Sequence, residues 1–364
     1  MGKRRQQMRK KNKDKKIVKP FVSICTPTFN RRPFFEATIK CYLHQDYPRE
    51  KLEWIIIDDG TDKIEDLVKD VPGVKYFKYD EKMSLGKKRN LMHEKSKGDI
   101  IVYMDDDDYY PKTRVSHAVQ TLKNSKALCA GSSEIYIWFK HIQKMYQFGP
   151  YGPNHATAGT FAFKRELLKQ TSYDENACIA EEKHFLKNYT IPFVQLNPKH
   201  SILVFSHEHN TFDKKKLLQN QNPKVVKESD KTVDYFVKEE DLKIFFMETI
   251  NDLLDDYEPG LPKHKPDVIQ QTMEIEKERM ERLKNMNQSS VVIKKENGEN
   301  VTLNNEQVVG LLKQQQNEIQ NNKRMIQQLT DELHEKKNTI QTLNEKIKSL
   351  EDVKDDNVSI EIIE

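Results

Sequence analysis

Two apolar runs that break off into carboxylates constrain this chain more than any other feature. The stretches "EWIIIDDG" (53–60) and "DIIVYMDDDD" (99–108) are continuously hydrophobic and then acidic. Short apolar runs without polar alternation read as strands buried on both faces. An earlier strand, "FVSICTPTFN" (21–30), ends in turn residues, and "VKYFKYD" (74–80) alternates as a further strand. Helical spacing lies between them, in "RPFFEATIKCYLHQ" (32–45), "KIEDLVKD" (63–70), "SLGKKRNLMHEKSKG" (84–98) and "TRVSHAVQTLKNS" (113–125). Pro33 suits a first helical turn. Strands alternating with helices predict an α/β fold, a mostly parallel sheet with helices on its faces. Such sheets bind ligands outside the carboxyl ends of their strands. Asp58, Asp59 and the four acids Asp105 to Asp108 fall there, although like charges so close repel and resist burial.

The rest of the chain is less apolar. Of 364 residues, 36% are hydrophobic and 32% charged, which is low for one globule, and the apolar residues concentrate between Pro20 and Phe212. The domain reading is a basic disordered tail (1–19), an α/β domain (20–215), a helical extension (216–262), a polar linker, helical or disordered (263–305), a coiled coil (306–352) and an acidic tail (353–364). Leu312, Ile319, Ile326, Leu333, Ile340 and Ile347 recur every seven residues. Val308, Leu329, Leu343 and Leu350 fill the partner row, which Gln315, Asn322 and Lys336 interrupt. That heptad pattern predicts a coiled coil, with a parallel homodimer the simplest form.

The net charge of +4 does not argue for nucleic acid. Cys25, Cys41, Cys129 and Cys178 show no metal or CxxC spacing and read as buried thiols of a reducing compartment. No apolar run approaches the ~20 residues of a membrane span. No signal sequence is legible either, so a cytoplasmic location is expected. Weak peripheral contact with anionic lipid through residues 1–19 is the alternative to a merely solvated tail.

Asp105 and Asp107 are two apart at a strand end, a spacing that lets both face one side. Paired carboxylates facing open space suit a hard divalent cation, which commonly brings a phosphate with it. An EF-hand loop counted from Asp105 would need glycine and glutamate where Tyr110 and Ser116 stand.

Five segments in order, "VSICTPTFNRRPFFEATIKCYLHQDYP", "WIIIDDGT", "SLGKKRN", "KGDIIVYMDDDDYY" and "AEEKHFL", resemble the signature of family 2 glycosyltransferases of the GT-A fold. The resemblance covers residues 20–212. It implies a Rossmann-like mixed sheet flanked by helices that binds a nucleotide-sugar donor, with a UDP-sugar favoured. Thr26, Pro27, Thr28 and Arg31 would line the nucleoside at the first strand's end, and Asp58 or Asp59 would contact the base. Gly86, Arg89 and Asn90 match the family's GxxxRN segment and would help hold the nucleotide. Asp105, Asp107 and Asp108 match its Asp-x-Asp-Asp, with Asp106 at the variable position. Asp105 would touch the ribose, and Asp107 would bind the Mn²⁺ or Mg²⁺ that bridges the diphosphate. Inverting transfer needs a carboxylate base. The family's Glu-Asp pair aligns with Glu181 and Glu182, which points to Glu182 as base and Glu181 as runner-up. His207 or His209 would complete the metal site, as a late histidine does in some GT-A enzymes, with a structural role the alternative. Trp138, Tyr146 and Tyr151 are candidates to stack on sugar rings, with core packing the alternative.

The resulting expectation is a metal-dependent, inverting glycosyltransferase acting on a hydroxyl of a glycan or protein. Two alternatives remain. One is an inactive scaffold working through its coiled coil. The other is a sugar nucleotidyltransferase, against which the glycine-free "TPTFNRRPF" counts.

Overall fold

The first strand, β1 (Val22–Thr28), is buried at all seven positions, as an unalternating apolar run requires. The structure is a computed structural model and describes residues 19–219, 222–288, 290–294 and 298–356. Residues 1–18 and 357–364, which hold almost all of the basic tail and most of the acidic one, lie outside the described residues.

After β1, a short turn carrying Pro33 opens α1 (Phe35–Leu43), which buries Phe35, Ala37, Thr38, Cys41 and Tyr42 at helical spacing. β2 (Leu52–Asp58), α2 (Glu65–Val68), β3 (Val74–Lys78), α3 (Leu85–Lys95), β4 (Ile100–Tyr103) and α4 (Arg114–Lys123) follow in alternation. Then come β5 (Cys129–Gly131), β6 (Ile135–Phe139), β7 (Lys144–Phe148), β8 (Ala162–Lys164), α5 (Glu182–Phe185), β9 (Phe193–Gln195), β10 (Val204–Ser206) and β11 (Val226–Glu228).

The main sheet has seven strands in the order β3-β2-β1-β4-β8-β5-β9. β8 runs antiparallel to both its neighbours, and the other pairings are parallel. This is the mixed sheet flanked by helices that the resemblance implied. Alternate residues of each strand enter different cores, because side chains alternate across a sheet. Ile24, Trp54, Ile56 and Val102 join one core, and Cys25, Ile55, Ile57 and Tyr103 the other. The register fixes the ligand edge: Thr28 pairs with Asp58, and Cys25 with Tyr103, so the acids after Tyr103 run out beside the tips of β1 and β2.

A second sheet, β10-β6-β7-β11, takes up the region where the sequence pattern loosens. Trp138 and Tyr146 pack half-buried against the core there, whereas Tyr151 is 45% exposed. The extension read as helical contributes β11 to this sheet before α6 (Val233–Phe236), α7 (Glu240–Ile244) and α8 (Ile250–Asp255). All four cysteines are buried and free.

The chain divides into two compact units after Glu274. Helix α9 (Pro266–Gln288) precedes a hairpin, β12 (Ser290–Lys294) and β13 (Asn300–Asn304), within the segment read as linker. Its signal was present in the β-branched runs either side of Gly298, whose φ is +87°. Then α10 (Asn305–Asp356) continues for 52 residues. The heptad residues Leu312, Ile319, Ile326, Leu333, Ile340 and Ile347 are each more than half exposed along it. No helix among the described residues is long and apolar enough to cross a membrane.

Candidate functional site

β4 stops at Tyr103, so the four acids lie on a loop and the strand's two-residue period does not govern them. Each of the first three instead meets a cation. Asp105 Oδ1 lies 3.7 Å from Arg89 Nη2, Asp106 Oδ1 3.8 Å from Arg31 Nε, and Asp107 Oδ2 3.6 Å from Arg31 Nη2. His207 Nε2 approaches Asp107 Oδ2 at 3.4 Å. Burial pushes Asp106 up to about 7, helped by the charge of Asp107, and raises Asp105 and Asp108 as well. Asp107 stays well below the usual range despite its burial, because His207, Lys214 and Arg31 surround it. Burial holds the His207 imidazole down to about 3, so it is neutral, and its Nε2 also lies 2.8 Å from Asn210 Nδ2.

Arg31 is 3% exposed and also donates to the carbonyls of His209 (2.5 Å) and Gly260 (3.3 Å). His209 therefore contributes its backbone to Arg31. Its ring stacks toward Tyr257, 6.1 Å between centroids, and its Nδ1 has no hydrogen-bond partner among the described residues. Of the two histidines, His207 is the one at the acids. A cavity of about 650 Å³ has both histidines in its wall, together with Ser206, Asn251 and Tyr257.

At the tip of β2, Asp58 accepts from the backbone of Gly60 (2.9 Å) and Ile64 (3.2 Å) and from the Tyr76 hydroxyl (2.6 Å). Asp59 accepts from Met83 N at 2.6 Å and pairs with Lys88 at 2.7 Å. Both carboxylates are thus held at the sheet edge. Thr26 is more interior: its hydroxyl donates to the Met104 carbonyl at 2.6 Å and accepts from Trp54 Nε1 at 2.8 Å. Pro27 pairs with Ile57 inside the sheet. The Thr28 hydroxyl is buried at the strand's tip, close enough to Asp106 to favour that residue's charged form.

Helix α3 starts at Ser84, whose hydroxyl caps Lys87 N at 3.2 Å. It buries Gly86, Lys88, Arg89, Met92 and His93, an unusually polar inner face. Gly86 is needed for close approach, since a Cβ there would lie 1.9 Å from the Asp174 carbonyl. The Asn90 amide bridges both backbone groups of Tyr173, at 3.0 and 2.9 Å. These two positions tie the helix to the 173–177 loop. Arg89 faces the site, with its guanidinium 4.5 Å from the Tyr103 ring centroid.

Arg89 also organises the candidate base. Its Nε pairs with Glu181 Oε1 at 2.8 Å, and both side chains are buried. One guanidinium therefore joins Asp105 to Glu181, 92 residues from Arg89 in sequence. Glu182 opens α5 without that anchor and is half-buried. Burial, with the neighbouring Glu181 charge, raises its carboxyl to about 7.

Among the described residues, no three acidic, histidine or cysteine side chains already converge into a metal cluster. The donors present nonetheless fit a hard divalent cation. Asp105 Oδ1 and Asp108 Oδ1 are buried with no hydrogen bond among the described residues. Gly159 leaves free a position 2.7 Å from Asp105 Oδ2 that a Cβ would fill. Tyr110, whose hydroxyl accepts from Asp105 N (2.8 Å) and donates to Gly159 O (3.1 Å), shapes the same corner. Sequence reasoning singled out neither Gly159 nor Tyr110 nor Lys88. The buried polar face of α3 was legible in "GKKRN" for Lys88, but nothing local marks the other two.

Residues 23–182 match the family model described as Glycosyl transferase family 2. The chain is 30% identical over 112 residues to the putative teichuronic acid biosynthesis glycosyltransferase TuaG of Bacillus subtilis, covering 28% of this chain and 42% of that one. It is 32% identical over 95 residues to the GalNAc(5)-diNAcBac-PP-undecaprenol β-1,3-glucosyltransferase of Campylobacter jejuni, covering 24% and 30%. The chain spans less than half the length of these curated relatives. Among solved structures, the mannosyltransferase PcManGT from Pyrobaculum calidifontis, in complex with GDP-Man and Mn²⁺, aligns with 70% of this chain and 80% of its own at 15% identity, TM-score 0.42. S. aureus TarS 1–349 in complex with UDP-GlcNAc aligns with 51% and 59% at 17% identity, also with TM-score 0.42. The motifs are ordered and gathered at one sheet edge, and residues 23–182, which carry them up to Glu182, are the part of this chain that matches glycosyl transferase family 2.

Proposed function

We propose that the protein moves a sugar from a nucleotide-diphosphate donor, a UDP-sugar by preference, to a hydroxyl of a glycan or protein, with inversion and with Mn²⁺ or Mg²⁺. The observation that carries this reading is Arg89, which links the donor acid Asp105 to Glu181 beside Glu182. Donor acids and candidate base are thereby tied to one place.

Asp105 and Asp107 would hold the ion, and His207 is the histidine near enough to join them. The ion would supply charge neutralisation for the departing diphosphate. The chain's own residues do the rest. Arg31 and Arg89 are buried cations that orient Asp105, Asp106 and Asp107. The pairing of Glu181 with Arg89 leaves Glu182 as the carboxylate able to take a proton. In the transfer, the acceptor oxygen bonds to the anomeric carbon, its proton passes to Glu182, and the bond from that carbon to the diphosphate breaks. A carboxyl at about 7 matches that role near neutral pH. A relative named as a β-1,3-glucosyltransferase supports a sugar as the transferred group.

The test is release of nucleoside diphosphate from a panel of UDP-, GDP- and dTDP-sugars, with Mn²⁺ and with EDTA. Metal-dependent release from one donor supports the reading. No release, with no metal-dependent thermal stabilisation by any donor, favours an inactive scaffold. For the second unit, the exposed heptad row of α10 supports a homodimeric coiled coil through residues 306–352.

A further inference from the structure

The segment from Tyr257 to Asp267 lies outside the matched family region, yet it is fastened across the donor edge. The Tyr257 hydroxyl donates to Asp62 at 2.9 Å, Asn30 Nδ2 donates to the Pro259 carbonyl at 3.0 Å, and Arg31 reaches Gly260 O. Gly260 fits because a Cβ there would sit 2.6 Å from His209 Nδ1 and 2.9 Å from Asn30 O. Asp267 pairs with Lys82 and accepts from the Cys178 thiol at 3.4 Å. Gln271 accepts from Cys178 N at 2.7 Å and Ile179 N at 3.0 Å. The strap is thus pinned at both ends and along its length.

It carries Lys265 into the interior, where the residue is 5% exposed. Three ammonium groups stand around Phe29, just past β1: Lys82 at 5.4 Å, Lys88 at 5.7 Å and Lys265 at 5.9 Å from the ring centroid. Lys82 has Asp267 and Lys88 has Asp59. Lys265 donates to the Thr211 hydroxyl at 3.1 Å, and among the described residues no carboxylate lies within 4.0 Å of it. Burial, with the Arg31 charge, holds its ammonium well below the usual lysine range against the opposing pull of Asp106 and Asp107. A buried ammonium without a counter-ion is costly, and a site keeps one where an anion will arrive. The anion that the donor edge would receive is a diphosphate.

Resting on the donor reading above, we propose that Lys265 is a binding residue for the diphosphate of the nucleotide donor, delivered by the 257–267 strap from outside the family's matched region. Thr211 orients the ammonium, and the strap's fastenings to Asn30 and Arg31 hold it at the tip of β1. The phosphate oxygens would supply the charge-assisted partner that the protein withholds.

The experiment compares full-length wild type, Lys265→Met, Lys265→Gln and Lys265→Arg for binding of UDP, GDP and dTDP and of the matching nucleosides, by calorimetry with Mn²⁺. Loss of one charged hydrogen bond predicts about tenfold to hundredfold weaker diphosphate binding by the Met and Gln variants. Nucleoside binding should not change, and Arg should recover part of the loss. The nucleotide-free melting temperature should hold or rise in Lys265→Met, because the cost of burying an amine without an ionic partner is removed. A merely structural lysine would instead lower that temperature and weaken nucleoside and diphosphate alike, which overturns the proposal. So does diphosphate binding in both Met and Gln variants equal to wild type. Wild type that binds none of the three diphosphates refutes the donor reading itself, and the lysine's role falls with it.

Discussion

Glu182→Gln separates the chemistry of the site from its stability. The native carboxyl sits at about 7 against an ordinary value of 4.5. Below pH 4.5 it is protonated whether the chain is folded or not, and it contributes no pH dependence. Between those values the native state keeps the proton that the unfolded chain has lost, so stability falls as pH rises. Above pH 7 the full penalty is present. At about 1.4 kcal/mol per unit the gap corresponds to about 3 kcal/mol, a ceiling because the side chain is partly exposed. Glutamine is neutral throughout and removes the penalty. The variant should therefore melt with wild type at pH 4 and roughly 5 °C above it at pH 8.5, taking a little over half of that ceiling. Its turnover should fall by about 10²–10⁴ while donor binding is retained. In wild type the rate should climb through pH 7 as Glu182 ionises. Melting curves at the two pH values, with donor hydrolysis and transfer rates, check all three. A flat stability difference, or turnover at the wild-type rate, would show that Glu182 is neither buried as described nor the base. If Glu181→Gln produces the kinetic loss without unfolding, the base is one residue earlier.

Asp107→Ala should abolish metal-dependent donor turnover while leaving the folded spectrum intact; a Mn²⁺ titration of hydrolysis that matches wild type removes the metal role. Gly159→Ala puts a methyl 2.7 Å from Asp105 Oδ2, so donor turnover should drop tenfold or more with little change in melting temperature. Gly86→Ala places its methyl 1.9 Å from a backbone carbonyl and should instead cost about 1–3 kcal/mol of stability, read by denaturant unfolding. Ile326→Lys combined with Leu333→Lys charges two more-than-half-exposed heptad positions and should turn a dimer into a monomer by light scattering, with activity unchanged; an unaltered mass refutes pairing through α10.

What the sequence disclosed follows from the range over which each signal acts. β1, β2 and β4 were readable because burial on both faces writes itself into consecutive residues, and α1 and α3 because a helix repeats locally. The acids were conspicuous for the same reason: they adjoin the strand that positions them. Asp105 and Asp107 do not follow the strand's two-residue period, because β4 ends at Tyr103 and the loop aims each of them toward the cation it meets. Those cations and their neighbour Asn30 are themselves anchored far away in the chain. Arg89 reaches Glu181 across 92 positions, Arg31 reaches His209 across 178, and Asn30 reaches Pro259 across 229. No window of sequence contains such pairs, so the roles of Arg31 and Glu181 came from resemblance and their geometry from the fold.

That difference in range also separates the two glutamates. In sequence Glu181 and Glu182 are equivalent, two acids at a helix start where the dipole favours either. In the fold, Arg89 takes Glu181 and leaves Glu182 with a proton that binds more tightly, through burial first and the Glu181 charge second. The same arginine lies 3.7 Å from Asp105, and its buried Nη1 has no hydrogen-bond partner among the described residues. Removing it would leave the buried Glu181 and the half-buried Asp105 without that cation, a loss of up to about 3–5 kcal/mol. Arg89→Lys keeps a charge but cannot fork between Asp105 and Glu181. It should therefore fold, bind donor more weakly, and shift the alkaline rise in rate, because Glu182 would respond to a Glu181 that is no longer held. If Arg89→Lys leaves that pH profile in place, the two glutamates are not coupled through the arginine, and the choice between them rests on reach to the acceptor alone.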